Sequence, residues 1–205
     1  MKSKLLLLNL FLSSAFLAKA SLYPTGTIPD GNLVGVTFAG TYDQAAIGAT
    51  VSSLTVNLEL SGGFNGDLYS YLVAPNGTLV VLLNRPEVTT GNPFGYAGSG
   101  LDVTLSDAAS GSIQTTAEVA GSAFTGTYQA AGSLASIDGG AADGTWTLYF
   151  ADESSGGGQS TLSGWSLDIT AVPESVNVAL ILFGGLIVSV GCIRWYRRMS
   201  GQIKI

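Results

Sequence analysis

The residues with the clearest potential for chemistry are carboxylates beside glycine-rich turns. Asp67 follows Asn65-Gly66, and Asp152 and Glu153 stand directly before a run of Ser and Gly. Because Ca²⁺ takes six to eight oxygen ligands from carboxylates and loop carbonyls, these three acids are candidate calcium ligands. Solvated loop acids explain the same pattern, and no Asp-x-Asp-x-Asp-Gly loop decides between the two. Weaker candidates of the same kind are Asp102, Asp107, Asp138 and Asp143.

Catalysis by a nucleophile and a base has no support in the composition. The sequence contains no histidine, so neither a Ser-His-Asp nor a Cys-His arrangement can be built, and no Gly-x-Ser-x-Gly elbow occurs. Two carboxylates standing about 5 to 10 Å apart could still serve glycoside hydrolysis. The sequence shows no sign of a cleft, so we expect no enzymatic activity and keep a paired-acid hydrolase as the least favoured alternative.

Charge is distributed very unevenly along the chain. Of the eight basic residues only Arg85 lies between residues 21 and 174, whereas all fourteen acidic residues lie there, for a formal charge of −13. So acidic a body does not bind nucleic acid through its phosphates and is repelled by anionic lipid surfaces. Hard cations are its more natural partners, which leaves Ca²⁺ as the one candidate cofactor.

The first twenty residues have the organisation of a secretory signal peptide. Lys2 and Lys4 provide a basic start, an apolar run extends to Leu17, and Ala18-Lys19-Ala20 places small residues two apart before a cleavage site. The apolar run is shorter than the about 20 residues of a bilayer span, which favours cleavage over an uncleaved anchor. We therefore expect an exported chain that begins at Ser21.

A second apolar segment lies near the C-terminus. Residues 175–193 carry no charge, which predicts a transmembrane helix, and Arg194, Arg197 and Arg198 follow it. Positive residues resist translocation, so residues 194–205 are expected to stay cytoplasmic while everything upstream lies outside. The only cysteine, Cys192, falls in this segment, so the exported body has no disulfide.

The body between residues 21 and 171 has the sequence pattern of an all-β domain. Residues 54–60 alternate apolar and polar side chains, which predicts a half-buried strand. Residues 67–73 and 78–83 flank Ala74-Pro75-Asn76-Gly77, and Asn-Gly tolerates the positive φ of a tight turn, so we predict a β-hairpin there.

Similar alternation recurs in the second half of the body. It predicts strands over 101–105, 146–150 and 165–169, with Trp146 and Trp165 in the core. The polar, Gly-rich segment 152–160 is expected to be an exposed loop. Seven or eight strands in this length favour a β-sandwich or jelly roll. Tyr69, Tyr71, Phe94 and Tyr96 would provide a sugar-stacking face if exposed, but aromatic residues in strands more often pack in the core or across strands.

Two longer runs resemble a known family. They are Phe64-Asn65-Gly66-Asp67-Leu68, continuing through Pro75-Asn76-Gly77 to Asn84-Arg85-Pro86, and Gly144-Thr145-Trp146-Thr147-Leu148 with Asp152, closing at Gly164-Trp165-Ser166-Leu167. The pattern resembles the P domain of proprotein convertases, also called P/Homo B, from about residue 33 to 170. The resemblance implies a jelly-roll type of β-sandwich, a module that usually follows a subtilisin-like protease domain. No such protease domain is present in these 205 residues.

The end of the chain resembles a second family. Val172-Pro173-Glu174, an apolar helix and an arginine cluster occur in this order, as in the PEP-CTERM sorting signal. That resemblance implies processing by an exosortase in a Gram-negative bacterium, frequently one that makes exopolysaccharide. Met199 to Ile205 extend a little further beyond the arginines than is usual for such tails.

Together these features predict three regions: a signal peptide over 1–20, a P-domain-like sandwich over 21–171, and a sorting tail over 172–205. We expect a non-catalytic surface or extracellular-matrix protein, anchored in the inner membrane before its tail is processed. The alternative is a Ca²⁺-dependent accessory module that binds a secreted protease or an exopolysaccharide.

Overall fold

The computed structural model describes residues 16–17, 23–116, 123–173 and 175–200, with side chains described for 23–116, 123–173 and 182–198. The predicted signal peptide lies outside the described residues except for Phe16–Leu17, which form a short strand. Glu174 of the predicted sorting motif also lies outside them.

Ten strands, two 3₁₀ turns and one helix make up the described part of the chain. The strands are β1 Phe16–Leu17, β2 Gly26–Ile28, β3 Asn32–Tyr42, β4 Ala49–Gly62, β5 Leu68–Val73, β6 Leu79–Asn84, β7 Leu101–Leu105, β8 Phe124–Tyr128, β9 Gly144–Asp152 and β10 Ser160–Pro173. The 3₁₀ turns are η1 Asn65–Asp67 and η2 Leu134–Ile137, and the helix is α1 Ser175–Ser200.

The strands form two sheets. The six-stranded sheet has the order β1-β10-β4-β7-β8, with β2 also pairing β10, and the four-stranded sheet has the order β3-β9-β5-β6. All pairs are antiparallel except β7 with β8, which run parallel. The predicted β-sandwich is confirmed, with more strands than the seven or eight expected.

The core between the sheets follows the alternation in the sequence. Every second residue of β4 from Leu54 to Leu60 is buried, at 5% exposure or less, because successive side chains of a strand point to opposite faces. Trp146 and Trp165 are 0% and 2% exposed, as predicted. Each indole N–H is satisfied by a carbonyl, that of Ala142 at 3.1 Å and that of Pro24 at 2.9 Å.

The predicted hairpin forms between β5 and β6. Gly77 has a φ of 85°, which a residue without a Cβ adopts at little cost. The Thr78 amide donates to the Asn76 side-chain oxygen at 3.0 Å, and the Ala74 amide donates to the Thr78 carbonyl at 2.9 Å. The turn chemistry of Asn-Gly therefore sets this connection.

Tyr23, at the start of the β-sandwich, packs between the two sheets. The Tyr23 ring is 6% exposed and lies 4.4 Å from the Trp165 ring, centroid to centroid. A Cβ on Gly40 would lie 1.8 Å from a Tyr23 ring carbon, so only glycine leaves room for this ring. Residues 23–25, directly before β2, therefore belong to the folded body.

The C-terminal segment forms a helix that continues past the predicted end at residue 193 to Ser200, with Arg197 and Arg198 in its last turn. In the part of the chain that the structure describes, no helix has both the length and the hydropathy needed to cross a membrane. The prediction of a transmembrane helix over 175–193 is therefore not supported.

Candidate functional site

The fold brings two of the three predicted calcium ligands together at one end of the sandwich. Asp67 ends turn η1, directly before β5, and Leu68 pairs with Asp152 on the neighbouring strand β9. Both carboxylates are covered, since Asp67 is 3% exposed and Asp152 is 0% exposed. We call these two residues, with Asp30 and Arg85 beside them, the acidic end.

Arg85 is the one cation of the acidic end. Its guanidinium lies 3.6 Å from a carboxylate oxygen of Asp67, and its Nε donates to the Gly66 carbonyl at 3.4 Å. Asp152 accepts hydrogen bonds through Oδ1 from the Ser154 amide at 3.3 Å. The other oxygen, Asp152 Oδ2, is buried and has no hydrogen-bond partner among the described residues. One cation thus stands against two buried acids, and one carboxylate oxygen is left unsatisfied.

The electrostatics of the pair follow from this arrangement. Burial raises the pKa of Asp67 and the charge of Asp152 raises it further, while the charge and hydrogen bond of Arg85 lower it without cancelling the rise. Burial likewise raises the pKa of Asp152, although amide hydrogen bonds from Ser154 and Gly31 act in the opposite direction. Both carboxyls consequently hold a proton to a higher pH than an exposed aspartate does.

A backbone of unusual conformation holds Arg85 in place. Arg85 and Glu87 have φ values of 47° and 62°, a region that residues with a Cβ seldom occupy. Three backbone bonds hold this segment: the Arg85 amide to the Leu68 carbonyl at 2.9 Å, the Glu87 amide to Gln114 at 2.9 Å, and the Tyr96 amide to Pro86 at 3.1 Å. The surrounding structure therefore compensates for the strain and positions the guanidinium over Asp67.

The remaining acids lie apart from the pair. Glu153 donates its backbone amide to the Asp67 carbonyl at 2.8 Å, but its side chain is exposed to solvent. Asp143 accepts a hydrogen bond from the Ala45 amide at 2.9 Å, and Asp102 lies opposite Glu59 on the outer face of the six-stranded sheet. Within the described ranges, no three acidic or cysteine side chains lie close enough together to hold a metal ion.

Asp107 has a structural role. It accepts hydrogen bonds from the Ser133 hydroxyl at 2.7 Å and from the amides of Leu134 and Ala135 at 3.0 and 2.8 Å. Burial opposes ionisation here, but these three donors outweigh it and lower the pKa of Asp107. Asp107 and Asp138 border a cavity of about 330 Å³. Since both oxygens of Asp107 are engaged by turn η2, this cavity is not lined by a free pair of acids.

Of the four aromatic candidates, one is buried, one is exposed in the loop between β6 and β7, and two lie on the outer face of the four-stranded sheet. Tyr96 is buried and Phe94 is 73% exposed. Tyr71 stacks on Tyr149 of β9 with ring centroids 4.5 Å apart, and Tyr69 meets both rings edge to face at 6.2 and 6.4 Å. Cross-strand packing, which the sequence favoured, therefore accounts for Tyr69 and Tyr71.

The predicted sorting motif lies where the sandwich ends. Strand β10 ends at Pro173 and helix α1 begins at Ser175, with Val172 39% exposed. The side chains of Arg194, Arg197 and Arg198 are exposed on the helix.

Comparison with known proteins gives one family and two related structures. The sequence model of the proprotein convertase P-domain matches residues 51–169. The fold is similar to a crystal structure of an Aeromonas sobria serine protease with its chaperone, at 16% identity over 78% of this chain and 28% of that chain, with a TM-score of 0.43. It is also similar to the serine protease of Aeromonas sobria alone, at 20% identity over 75% of this chain and 27% of that one, with a TM-score of 0.42.

No curated protein matches the sequence. The chain spans less than a third of each of the two solved protease chains, so their activity belongs to them. The family match covers more than half of this chain and includes both runs of residues that resembled a P domain, the acidic pair among them. The chain belongs to the proprotein convertase P-domain family.

Proposed function

We propose that this protein is a non-catalytic P domain that is exported and acts at the cell surface or in the extracellular matrix. The observation that carries the proposal is the burial of its paired acids, since Asp67 and Asp152 are only 3% and 0% exposed. A hydrolase needs both carboxylates to reach the scissile bond. The lack of histidine in the sequence supports the same view, because it removes the common triads.

Processing at both ends is part of the proposal. A signal peptide is removed after Ala20, and an exosortase-type enzyme cuts the tail near Pro173 and Glu174. The position of the last strand supports the second cut, because β10 ends at Pro173 and the last buried core residue is Ala171. A chain cut there keeps strands β2 to β10, whereas removal of the signal peptide takes away the two-residue strand β1, Phe16–Leu17.

Treating intact cells with an added protease tests the location. The proposal predicts that the chain is degraded from outside while cytoplasmic proteins survive. Changing Pro173 and Glu174 together to Ala should leave the tail attached, whereas Asp168→Ala, an exposed change in β10, should be processed normally. A chain that stays protected in intact cells, and is released only when they are lysed, contradicts the proposal.

A Ca²⁺-dependent binding module is the second candidate function. It is favoured by Asp152 Oδ2, a buried oxygen with no hydrogen-bond partner among the described residues, next to a second buried carboxylate. A cation there would satisfy this oxygen and lower the repulsion between Asp67 and Asp152. Two carboxylates are fewer than the ligands that Ca²⁺ takes, so loop carbonyls and water would have to complete the shell. The bound ion would then order the surface that meets a secreted protease or an exopolysaccharide.

Thermal unfolding with Ca²⁺ or EDTA decides this second candidate. A ligand at about 100 times its Kd stabilises the folded state by about 2.7 kcal/mol, so the midpoint should rise by several degrees with Ca²⁺. The rise should vanish in Asp152→Asn and persist in the control Asp102→Asn. Equal midpoints with Ca²⁺ and EDTA would remove calcium from the account and leave the first proposal standing.

A further inference from the structure

Strand β3 has a neighbour on only one side. It is the first strand in the order β3-β9-β5-β6, and no described residue pairs with its other edge. In an antiparallel strand, alternate residues direct their N–H and C=O groups away from the partner. The outer edge of β3 therefore presents a row of backbone donors and acceptors.

This edge lacks the usual protection against strand addition. Natural edge strands carry charged residues, proline, or a bulge that twists the edge away. β3 reads Asn-Leu-Val-Gly-Val-Thr-Phe-Ala-Gly-Thr-Tyr, without a charge or a proline. Its one irregularity lies between Asn32 and Val36, and from Val36 to Tyr42 the register with β9 is continuous. Residues 36–42 are thus a regular, uncharged edge.

The other described sheet edges are covered, short or charged. At β6, the amides of Ala131 and Gly132 donate to the carbonyls of Leu82 and Val81 at 3.0 and 2.8 Å. Strand β10 pairs with β1 at residues 170–171 and with β2 at residues 160–162, and the stretch 163–169, which no described strand pairs on this side, carries the charged Asp168. Strand β8 has five residues and contains Gly126 at a φ of 128°. In the described part of the chain, β3 is the long open edge that carries no charge.

The side chains beside this edge match an incoming strand. Thr37, Ala39 and Thr41 are exposed on the outer face of β3. Behind them on β9, Thr147 and Tyr149 continue the same uncharged face, because Ala39 pairs with Thr147 and Thr37 with Tyr149. β-Branched and aromatic side chains on a neighbouring strand pack well against such a surface.

Charge decides what kind of strand fits. At one end of β3 stand Asp30 and the exposed Glu153, and at the other end stand Asp43 and Asp143. If β3 of a second copy were added antiparallel, Asp30 and Glu153 of one copy would lie beside Asp43 and Asp143 of the other. If it were added parallel, each of these acids would lie beside its own counterpart. Both arrangements oppose negative charges at each end of the added strand, whereas basic residues there would be attracted.

We propose that the β3 edge binds an extended segment of another protein by strand addition, and that this segment has an uncharged, β-branched centre with Lys or Arg at both ends. Backbone hydrogen bonds to residues 36–42 provide the contact, and the flanking acids select the basic ends. Strand addition of this kind is a general mode of peptide recognition. The hydrogen-bonding edge, residues 36–42, does not include Asp67 or Asp152, although Asp30 at one end of β3 also belongs to the acidic end.

The test uses the full chain in a mild detergent and the labelled peptide Lys-Thr-Val-Thr-Val-Thr-Val-Thr-Val-Thr-Lys, which is as long as β3 and so places one Lys near each pair of acids. We expect a rise in fluorescence anisotropy on binding and slower amide hydrogen exchange in residues 36–42. A peptide with Glu at both ends should bind at least tenfold more weakly, and a peptide with Pro at its centre should not bind. Ala39→Lys should weaken binding tenfold or more, while the matched change Thr125→Lys on β8 should have no effect.

Three results would overturn the proposal. One is unchanged hydrogen exchange in residues 36–42 at a peptide concentration that saturates the anisotropy. Another is equal affinity for the Glu-flanked peptide. The third is protection of residues 36–42 that depends on the concentration of the chain itself without peptide, which would make a second copy the occupant.

Discussion

At the level of single residues, the buried pair Asp67 and Asp152 makes stability depend on pH. Burial, the first cause in both cases, raises each pKa above the ordinary value of 3.8. The folded chain then keeps these protons to a higher pH than the unfolded chain. The stabilisation from the two protonated carboxyls is fully present below their pKa in the unfolded chain. It is lost as pH rises through their pKa in the folded chain.

We therefore expect Asp152→Asn to flatten the pH dependence of stability. In the wild type the pair lowers the free energy of unfolding as pH rises from about 4, by at most about 1.4 kcal/mol per pH unit for each group. The variant keeps the Oδ1 acceptor for Ser154 and removes the charge, so its advantage over the wild type should grow with pH. Urea unfolding at several pH values, with Asp102→Asn as control, measures this difference. A constant difference from pH 4 to 8 would refute the assignment.

Gly40 gives a second prediction at this scale. In Gly40→Ala the new Cβ would lie 1.8 Å from the Tyr23 ring, and overpacking of this kind costs about 1 to 3 kcal/mol. In Gly91→Ala the nearest atom, Thr89 Oγ1, is 4.0 Å away, so this control should lose far less stability. Thermal melting of the two variants makes the comparison. Equal midpoints would mean that Tyr23 does not occupy its slot between the sheets.

The sequence predicted the acidic pair only in part. Turn glycines beside Asp67 and Asp152 identified both as special, but their burial depends on the pairing of Leu68 with Asp152, which no local pattern reveals. Arg85 was not predicted as part of the site because its left-handed backbone has no glycine to signal it. Glu153 was predicted together with Asp152, and its side chain is exposed because adjacent residues near a strand end point in different directions.

At the level of elements, alternation of apolar and polar residues was enough to predict β7, β9, the middle of β4 and the core half of β10, and the Asn-Gly turn was enough to predict β5 and β6. Strand β3 was not predicted, because Gly35 and Gly40 interrupt its apolar pattern. Position 40 requires glycine because the Tyr23 ring packs against its backbone. The parallel pairing of β7 with β8 joins segments on either side of residues 106–123. Pairing at such separation follows from the whole fold and not from local sequence.

Turn η2 provides a prediction at this scale. Asp107 accepts three hydrogen bonds from its first residues, so Asp107→Ala should destabilise the chain by about 1 to 2 kcal/mol, as loss of a cap does. Because the pKa of Asp107 is lowered, this contribution is present at neutral pH and is lost as pH falls through the folded pKa. Chemical unfolding at pH 7 gives the loss. Asp102→Ala is the control, and it should be neutral or slightly stabilising because Asp102 faces Glu59 across β4 and β7.

An unchanged stability of Asp107→Ala at pH 7 would show that η2 is held without its cap. The cavity beside Asp107 and Asp138 would then have a carboxylate free for other contacts.

At the level of the whole molecule, the charge pattern and the fold support one account. A body with a formal charge of −13 between residues 21 and 174 folds as a P domain without a disulfide, and its strands end at Pro173, immediately before the helix. In that account the N-terminal signal peptide and the C-terminal sorting tail direct export and processing, and the β-sandwich is the exported domain. The family match itself speaks only for residues 51–169, so export and processing rest on the ends of the chain.

The most direct test of this account is the intact mass of the protein isolated from the cells that make it. The account predicts a chain that begins at Ser21 and ends near Pro173 or Glu174, recovered from the cell envelope or the medium. A chain that retains Met1 and Ile205 and is recovered with the cytoplasmic proteins would contradict it.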